Sequence, residues 1–122
     1  MVRIQPGVPF YSLKKVQGLV AEKRFQFGNR SAARDATTLD LDIEAIRKFI
    51  LCLQPIHFVK RYPQQKCFNG RAVVDCDAYK MSFDVESLSE NTRTGDLIFT
   101  KLGIHQLRSG EIVAVISLHL DR

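Results

Sequence analysis

The stretch PIHFVKRYPQQ, residues 55–65, marks the place where this chain changes from helices to strands. Pro55 ends a helical pattern, because the residue before a proline is driven out of the helical conformation. From there on the apolar residues recur at the spacing of extended strands. The same stretch delivers Lys60, Arg61 and Tyr62 together, at the predicted end of a short strand. Two cations beside a phenol favour an acidic partner, with the guanidinium and ammonium groups holding a phosphate.

Three helices are predicted before that point, each from apolar residues at helical spacing and a polar residue able to cap its first turn. The first follows Ser12, and the second, which is rich in alanine, follows Asn29 or Ser31. The third follows Asp40 or Asp42 and has the clearest apolar face. A brief extended piece separates the first two helices.

Four runs after residue 55 are β-branched or alternate between apolar and polar residues, and Gly-containing loops separate them. They are IHFVK, RAVVDCDAYKM, DLIFTKL and EIVAVISLHL. The last run is apolar on both faces, which predicts an interior strand. The connection DVESLSENTRT is polar and predicted to be mobile. Helices first and strands later predict an α+β fold, an antiparallel sheet with helices on one face, in one domain spanning residues 1–122.

The composition is that of a folded globular protein, with 122 residues, 45% hydrophobic and 25% charged. The net charge is +5, and the basic excess lies in the first third of the chain and around residues 55–65. Such a balance favours a polyanion or an acidic protein as partner. The sequence has no apolar run of membrane-spanning length and no signal-peptide pattern at its start. We therefore expect a cytoplasmic protein with no membrane partner.

Three cysteines, Cys52, Cys67 and Cys76, form an odd set without Cys-x-x-Cys spacing. This pattern predicts free thiols, with neither a disulfide framework nor a zinc site. Glycine-rich phosphate loops and paired carboxylates are also lacking, so we expect no metal and no cofactor. One alternative is a thiol enzyme in which Cys76 is the nucleophile and His119 its base, although no cysteine-hydrolase signature accompanies them.

Aromatic and basic residues recur along the predicted strands. Tyr79, Lys80 and Lys101 lie on strands other than that of Lys60, and an antiparallel sheet can bring several of them to one face. Rings interleaved with cations suit single-stranded RNA, whose bases stack on the rings while its phosphates are neutralised. His119 closes the last strand and is the residue type best suited to move a proton near neutral pH, unless it is a strand-end histidine without a role. For the other two histidines, His57 and His105, we expect structural or surface roles.

Six segments follow one another in colinear order between about residues 11 and 119: SLKKVQGLV, SAARDATTLDLDIEAIRKFILCL, HFVK, DCDAY, GDLIFTKL and IVAVISLH. In this order they resemble the MqsR family of bacterial toxins, the motility and quorum-sensing regulator toxins. The resemblance implies a RelE-like α+β fold and a messenger-RNA-cleaving endoribonuclease. It further implies silencing by an antitoxin that has a zinc-binding part and a helix-turn-helix part. The toxin would then meet DNA only through that antitoxin.

The resemblance also assigns positions. The family's strand lysines match Lys60 and Lys101, and its Asp and Tyr match Asp77 and Tyr79. Where the family has Gln, Tyr and Lys, this chain has Cys76, Phe99 and His119. We therefore predict as catalytic residues Lys60, Arg61, Tyr79 and His119, and as substrate contacts Tyr62, Cys76, Lys80, Phe99 and Lys101.

The predicted reaction is metal-independent cleavage of single-stranded mRNA, in which the 2′-hydroxyl attacks the adjacent phosphorus. Such a reaction needs a base, an acid and cations around the phosphorane. The alternative from another functional class is a non-catalytic RNA-binding or protein-interaction module on the same fold.

Overall fold

The computed structural model describes residues 7–121, and within them the chain forms three α-helices and a six-stranded, mostly antiparallel sheet. The predicted α+β class is confirmed. The outer ends of the predicted domain, residues 1–6 and 122, lie outside the described residues. In chain order the elements are α1 (Leu13–Ala21), β1 (Phe25–Phe27), α2 (Arg30–Thr38), α3 (Ile43–Cys52), a 3-10 turn (Pro55–His57), β2 (Phe58–Cys67), β3 (Ala72–Asp84), β4 (Ser89–Glu90), β5 (Asp96–Leu107) and β6 (Gly110–Leu120).

Side-chain caps fix where α2 and α3 begin. The side chains of Asn29 and Asp42 each accept a hydrogen bond from the backbone N–H three residues further on, at 2.8 Å. Of the two predicted pairs of caps, these are the members that act, and Ser31 and Asp40 are not N-caps. Ser12 stands at the N-cap position of α1, but its side chain makes no capping hydrogen bond.

The strands of the sheet run in the order β1-β6-β5-β3-β2, and β4 pairs with β3. All pairings are antiparallel except that of β1 with β6, which is parallel. β6 is therefore an interior strand, as its apolar run predicted. β2 continues to Cys67, well beyond its predicted end, so residues 60–62 lie inside a strand. The polar connection after β3 contains β4, which extends the sheet by two residues.

The main core lies between α1, α3 and one face of the sheet, because successive strand residues point to opposite faces and one set is mostly apolar, with Asp77 and Thr100 as its buried polar members. Burying one such large side chain contributes about 1.5–3 kcal/mol relative to its exposure. The largest contributors are Val16 and Val20 of α1, Ile46, Phe49 and Ile50 of α3, Tyr79, Met81 and Phe83 of β3, Ile98 and Leu102 of β5, and Val113, Val115 and Leu118 of β6.

The sheet curls so that its two edges meet at one end. The N–H of Phe68, just after β2, donates to the carbonyl of Gly28 at 2.6 Å, and the N–H of Gly28 donates to the carbonyl of Val115 at 2.8 Å. We call the face away from α1 and α3 the concave face. At the closed end it is filled by a second small core of Cys67, Val74, Cys76, Ala114 and Ile116.

Glycine is required where β3 and β5 approach each other under this curl. A Cβ on Gly103 would lie 2.8 Å from both the carbonyl oxygen of Asp75 and a methyl group of Val74. Real Cβ atoms do not approach other atoms so closely, so a larger residue would force the strands apart. The tight curl leaves the other end of the concave face open, and the candidate site lies there.

Candidate nucleic-acid interface

Strand register brings six of the predicted site residues to the open end of the concave face. Residues directly opposite each other on neighbouring strands project from the same face of a sheet. Ala78 of β3 lies opposite Lys60 on one side and Lys101 on the other. Lys80 lies opposite Phe99, which in turn lies opposite His119. We name the set the cationic patch: Lys60, Tyr62, Lys80, Phe99, Lys101 and His119.

The ring of Tyr62 holds two lysines of the patch. The Lys60 Nζ lies 4.8 Å from the ring centroid and the Lys101 Nζ lies 4.1 Å from it. A cation over an aromatic face is attracted by about 0.5–1 kcal/mol at exposed sites. Lys101 also donates to the Gln65 side-chain oxygen at 3.4 Å. These contacts hold two positive charges near one ring while leaving them able to meet an anion.

Phe99 joins the two halves of the patch. Its ring meets the ring of Tyr62 edge-on, with centroids 6.2 Å apart, and stacks under the imidazole of His119, with centroids 4.9 Å apart and an interplanar angle of 22°. Phe99 is buried, with 7% of its surface exposed, whereas His119 is exposed. One face of the imidazole is therefore covered by the phenyl ring.

A backbone carbonyl fixes the tautomer of His119. The Nδ1 atom lies 3.0 Å from the carbonyl oxygen of Leu120. A carbonyl oxygen can only accept, so Nδ1 must carry the proton in this hydrogen bond. In the neutral ring Nε2 is then the unprotonated nitrogen, and it is the one that can accept a proton from a bound molecule.

A β-bulge lies beside the patch. The pairing of β5 with β6 shifts register between Lys101 and Leu102, so that Lys101 lies opposite Ser117 but Leu102 lies opposite Val115. A bulge bends its strand and changes the direction of the side chains around it. It therefore contributes to the placement of Lys101 relative to His119.

The patch contains an ion pair that sequence reasoning missed. The Lys80 Nζ lies 2.8 Å from a carboxylate oxygen of Asp121, just beyond β6. Asp121 could have been found from strand alternation alone, because it is two residues beyond His119 and so projects from the same face.

Lys60 and His119 lie far apart across the sheet. Both lie on the concave face and neither is buried, but β3 and β5 lie between their strands. At the usual spacing of strands, three steps correspond to about 14 Å between the backbones. Lys101, on the neighbouring strand, is the nearer lysine to His119 by register.

Arg61 does not belong to this surface, so the prediction that it acts together with Lys60 and Tyr62 is wrong. These residues lie inside β2, where neighbours alternate between faces, and Arg61 is opposite Asp77. Its guanidinium carbon lies 4.9 Å from the ring centroid of Phe10. Arg61 thus packs against the segment that precedes α1.

Asp77 fastens that same segment to the sheet. Its buried carboxylate accepts the backbone N–H groups of Phe10 at 2.8 Å and Tyr11 at 3.0 Å. The Tyr11 hydroxyl donates to the carbonyl of Asp75 at 2.7 Å. Burial raises the pKa of Asp77 above its ordinary value, while the two N–H donors and the charge of Arg61 oppose this shift.

Tyr79, predicted as a catalytic residue, lies on the opposite face of the sheet, so the structure does not bring it together with the patch. Its neighbours on β3 project towards the concave face, and the strand period of two turns Tyr79 into the main core. It is 1% exposed and packs against Phe58, with ring centroids 5.7 Å apart. Burial raises its pKa to about 12, and among the described residues its hydroxyl has no hydrogen-bond partner.

Cys76 lies on the concave side but is completely buried in the small core, which excludes the predicted contact with substrate. Burial, reinforced by the neighbouring Cys67, raises the pKa of its thiol to about 12. The thiolate is the nucleophilic form of cysteine, and it is disfavoured in this environment. The structure therefore contradicts a thiol enzyme based on Cys76. All three cysteines are free, as predicted.

The other two histidines have structural surroundings. His57 accepts the backbone N–H of Gln54 at 2.8 Å through Nδ1, and its Nε2 lies 2.7 Å from a carboxylate oxygen of Glu90. It thereby ties the 3-10 turn to β4. His105 packs against the ring of Phe68, with centroids 5.3 Å apart.

Comparison with protein-family models, curated proteins and solved structures found no match to this chain. No helix within residues 7–121 is long and apolar enough to cross a membrane. In the same part of the chain, no three His, Cys, Asp or Glu side chains are grouped closely enough to hold a metal ion.

Proposed function

We propose that this protein is a RelE-like endoribonuclease toxin of a toxin-antitoxin system, which cleaves single-stranded mRNA in the cytoplasm without a metal. The observation that carries the proposal is the stack of His119 on Phe99, on the same face as Lys60, Lys80 and Lys101. It combines a proton-transferring group, an aromatic surface and positive charge. Single-stranded RNA requires the last two for binding, and its cleavage requires the first.

In the proposed reaction the 2′-oxygen of a ribose attacks the adjacent phosphorus while the bond from phosphorus to the 5′-oxygen breaks. The products are a 2′,3′-cyclic phosphate and a free 5′-hydroxyl. His119 Nε2 takes the proton of the 2′-hydroxyl, because Nδ1 is already engaged with the Leu120 carbonyl. The imidazolium or a patch lysine returns a proton to the 5′-oxygen. Proton transfer by a positioned side chain contributes about 10²–10⁴-fold to such a step.

The lysines have separate tasks in this mechanism. Lys101 neighbours His119 across β5 and β6, so it is suited to the charge that grows on the phosphorane. Lys60 lies two strands further away and binds a phosphate elsewhere on the same RNA strand. The exposed face of the imidazole offers a surface against which a base can stack.

The proposed protein partner is an antitoxin that covers the cationic patch. A zinc-binding part would meet the toxin and a helix-turn-helix part would meet operator DNA, as the resemblance to the MqsR family implies. The net charge of +5 supports an acidic surface on that partner.

A non-catalytic RNA-binding module is the second candidate. It is supported by Phe99 and Cys76, which stand where the resemblance implies a phenol and an amide, and by the burial of Cys76. Such a module would use the same rings and lysines to retain RNA but would leave it intact.

The two candidates are separated by analysing the RNA after incubation with the purified protein in excess EDTA. The nuclease should produce fragments that end in 2′,3′-cyclic phosphate, and an RNA with 2′-O-methyl groups throughout should bind but remain intact. Fragments with 3′-hydroxyl ends, or cleavage of the 2′-O-methyl strand, would contradict attack by the 2′-hydroxyl. Retention of the ribose strand without cleavage would support the binding module.

A further inference from the structure

The ion pair between Lys80 and Asp121 crosses the cationic patch. Asp121 is held at the end of β6 by its backbone N–H, which donates to the carbonyl of Leu97 on β5 at 2.9 Å. Lys80 reaches it from β3, so the pair spans β5 next to the stacked Phe99 and His119. Its two side chains are 38% and 28% exposed, so the pair is in contact with solvent and an anion can reach the Lys80 ammonium group.

Lys80 is paired with a carboxylate, unlike the other two lysines of the patch. Lys60 and Lys101 lie over the ring of Tyr62, and within residues 7–121 neither forms a salt bridge with a carboxylate. A carboxylate and a phosphate diester both present two anionic oxygens to an ammonium group. The Asp121 side chain therefore occupies the position at Lys80 that an RNA phosphate would take.

The surroundings of Ala78 favour a phosphate at this place. Ala78 is small, fully buried and flanked on the concave face by Lys60 and Lys101, with Lys80 two residues further along β3. Lys60, Lys80 and Lys101 therefore all project from the concave face around Ala78, and releasing Lys80 adds one unpaired ammonium group to that surface. With Asp121 in place, one of the three is neutralised.

We propose that Asp121 is an internal competitor for RNA, whose carboxylate must leave Lys80 before that lysine can bind a phosphate of the substrate. This inference rests on the proposed function, because it requires RNA to lie on the concave face. It assigns to the residue that follows β6 a partial restraint on substrate binding.

The restraint is small because the pair is solvent-exposed. Exposed ion pairs contribute little to stability, and releasing Lys80 should change affinity by about two-fold to five-fold. One additional phosphate bound on single-stranded RNA should also steepen the plot of log affinity against log salt by about 0.7. The salt dependence thus distinguishes the binding of a further phosphate, which steepens the slope, from a rearrangement of the protein that adds no phosphate contact.

The test measures binding of a fluorescent single-stranded RNA that carries 2′-O-methyl groups throughout, so that cleavage is impossible and affinity is measured alone. Asp121→Asn should bind more tightly than the unmodified protein and with a steeper salt dependence. Glu111→Gln is the matched control, since it removes the same charge from another exposed pair, that with Lys15 at 3.1 Å. Glu111→Gln should increase RNA affinity only slightly, through the change in net charge.

A second variant shows whether the tighter binding passes through Lys80. Adding Lys80→Gln to Asp121→Asn should abolish the increase in affinity and in salt slope. In the unmodified protein, where Asp121 still occupies Lys80, the Lys80→Gln substitution should weaken RNA binding less than it does in Asp121→Asn. Equal affinities for Asp121→Asn and Glu111→Gln would overturn the inference while the unmodified protein still binds RNA. Failure of the unmodified protein to bind any RNA would instead overturn the proposed function.

Discussion

His119 lies flat against Phe99, with the two ring planes only 22° apart and the centroids 4.9 Å apart. The stack fixes the plane of the imidazole, and the Leu120 carbonyl fixes its rotation by binding Nδ1. Two independent contacts thus orient Nε2 outward from an exposed strand end. An unconstrained surface histidine would sample several rotamers and would spend little time in one orientation.

Phe99 should act as a positioning residue for His119. Phe99→Leu keeps an apolar side chain but removes the flat surface, so we expect kcat for RNA cleavage to fall about ten-fold with little change in KM. Phe83→Leu, in the main core, is the control: both changes destabilise the fold by about 1–3 kcal/mol, but the control should leave kcat unchanged well below its unfolding temperature.

Lys60 should contribute to binding more than to the chemical step, because two strands separate it from the strand of His119. Lys60→Gln is expected to raise KM about ten-fold and to reduce the salt slope of RNA binding by about 0.7. Lys66→Gln is the matched control, since Lys66 is exposed on the same strand but lies opposite Val73 and projects from the other face. A larger effect on kcat than on KM would place Lys60 at the scissile phosphate.

The sequence predicted the class of the fold and the patch because both depend on local periodicity. Lys60, Tyr62, Lys80, Lys101 and His119 were identified from residue type and strand position, Phe99 was identified only from the family resemblance, and alternation then decides which of them share a face. The prediction for Arg61 was wrong because the predicted strand was too short. Arg61 was expected at the end of that strand, but it lies inside β2, where alternation turns it to the face opposite Lys60 and Tyr62.

Tyr79 was misplaced because of strand alternation, as Arg61 was, since it neighbours Lys80 and so projects from the face opposite the patch. The misplacement of Cys76 has another cause: a cysteine suits either a site or a core, and nothing in its neighbours reveals how the sheet curls. The curl depends on long-range contacts, such as the hydrogen bond from Phe68 to Gly28. Such contacts between distant segments leave no period in the sequence. Asp121 was missed although strand alternation places it on the face of His119, because a single acidic residue after a strand does not by itself indicate a site.

The buried position of Tyr79 leads to a prediction opposite to that of the family resemblance. Tyr79→Phe removes a hydroxyl that has no partner among the described residues, so it should leave cleavage unchanged. The free energy of unfolding should be unchanged or rise by about 1 kcal/mol, because a buried polar group without a hydrogen bond is unfavourable. Tyr11→Phe is the control. The Tyr11 hydroxyl does donate to a carbonyl, so loss of this hydroxyl should lower the free energy of unfolding. Reduced cleavage by Tyr79→Phe would restore this residue to the mechanism.

Asp77 should make the stability of the fold depend on pH. Its pKa is raised above 3.8 in the folded state, so between that value and the raised one the folded protein binds more protons than the unfolded chain. Stability conferred by protonated Asp77 is present at low pH and decreases as pH rises through this window.

The check is urea unfolding of the unmodified protein and of Asp77→Asn from about pH 3.5 to about pH 6.5. The difference in the free energy of unfolding, unmodified minus variant, should decrease with rising pH and then become constant. An increase would mean that the hydrogen bonds from Phe10 and Tyr11 outweigh the effect of burial.

The most direct test of the central claim is the cleavage rate of His119→Gln on a single-stranded RNA, measured in EDTA beside His105→Gln. His119 is exposed, so the fold should survive its replacement, and thermal unfolding of both variants provides that control. We predict a loss of at least about 100-fold for His119→Gln, with RNA binding largely retained, and near-normal cleavage by His105→Gln. Equal rates for His119→Gln and the unmodified protein would contradict the account.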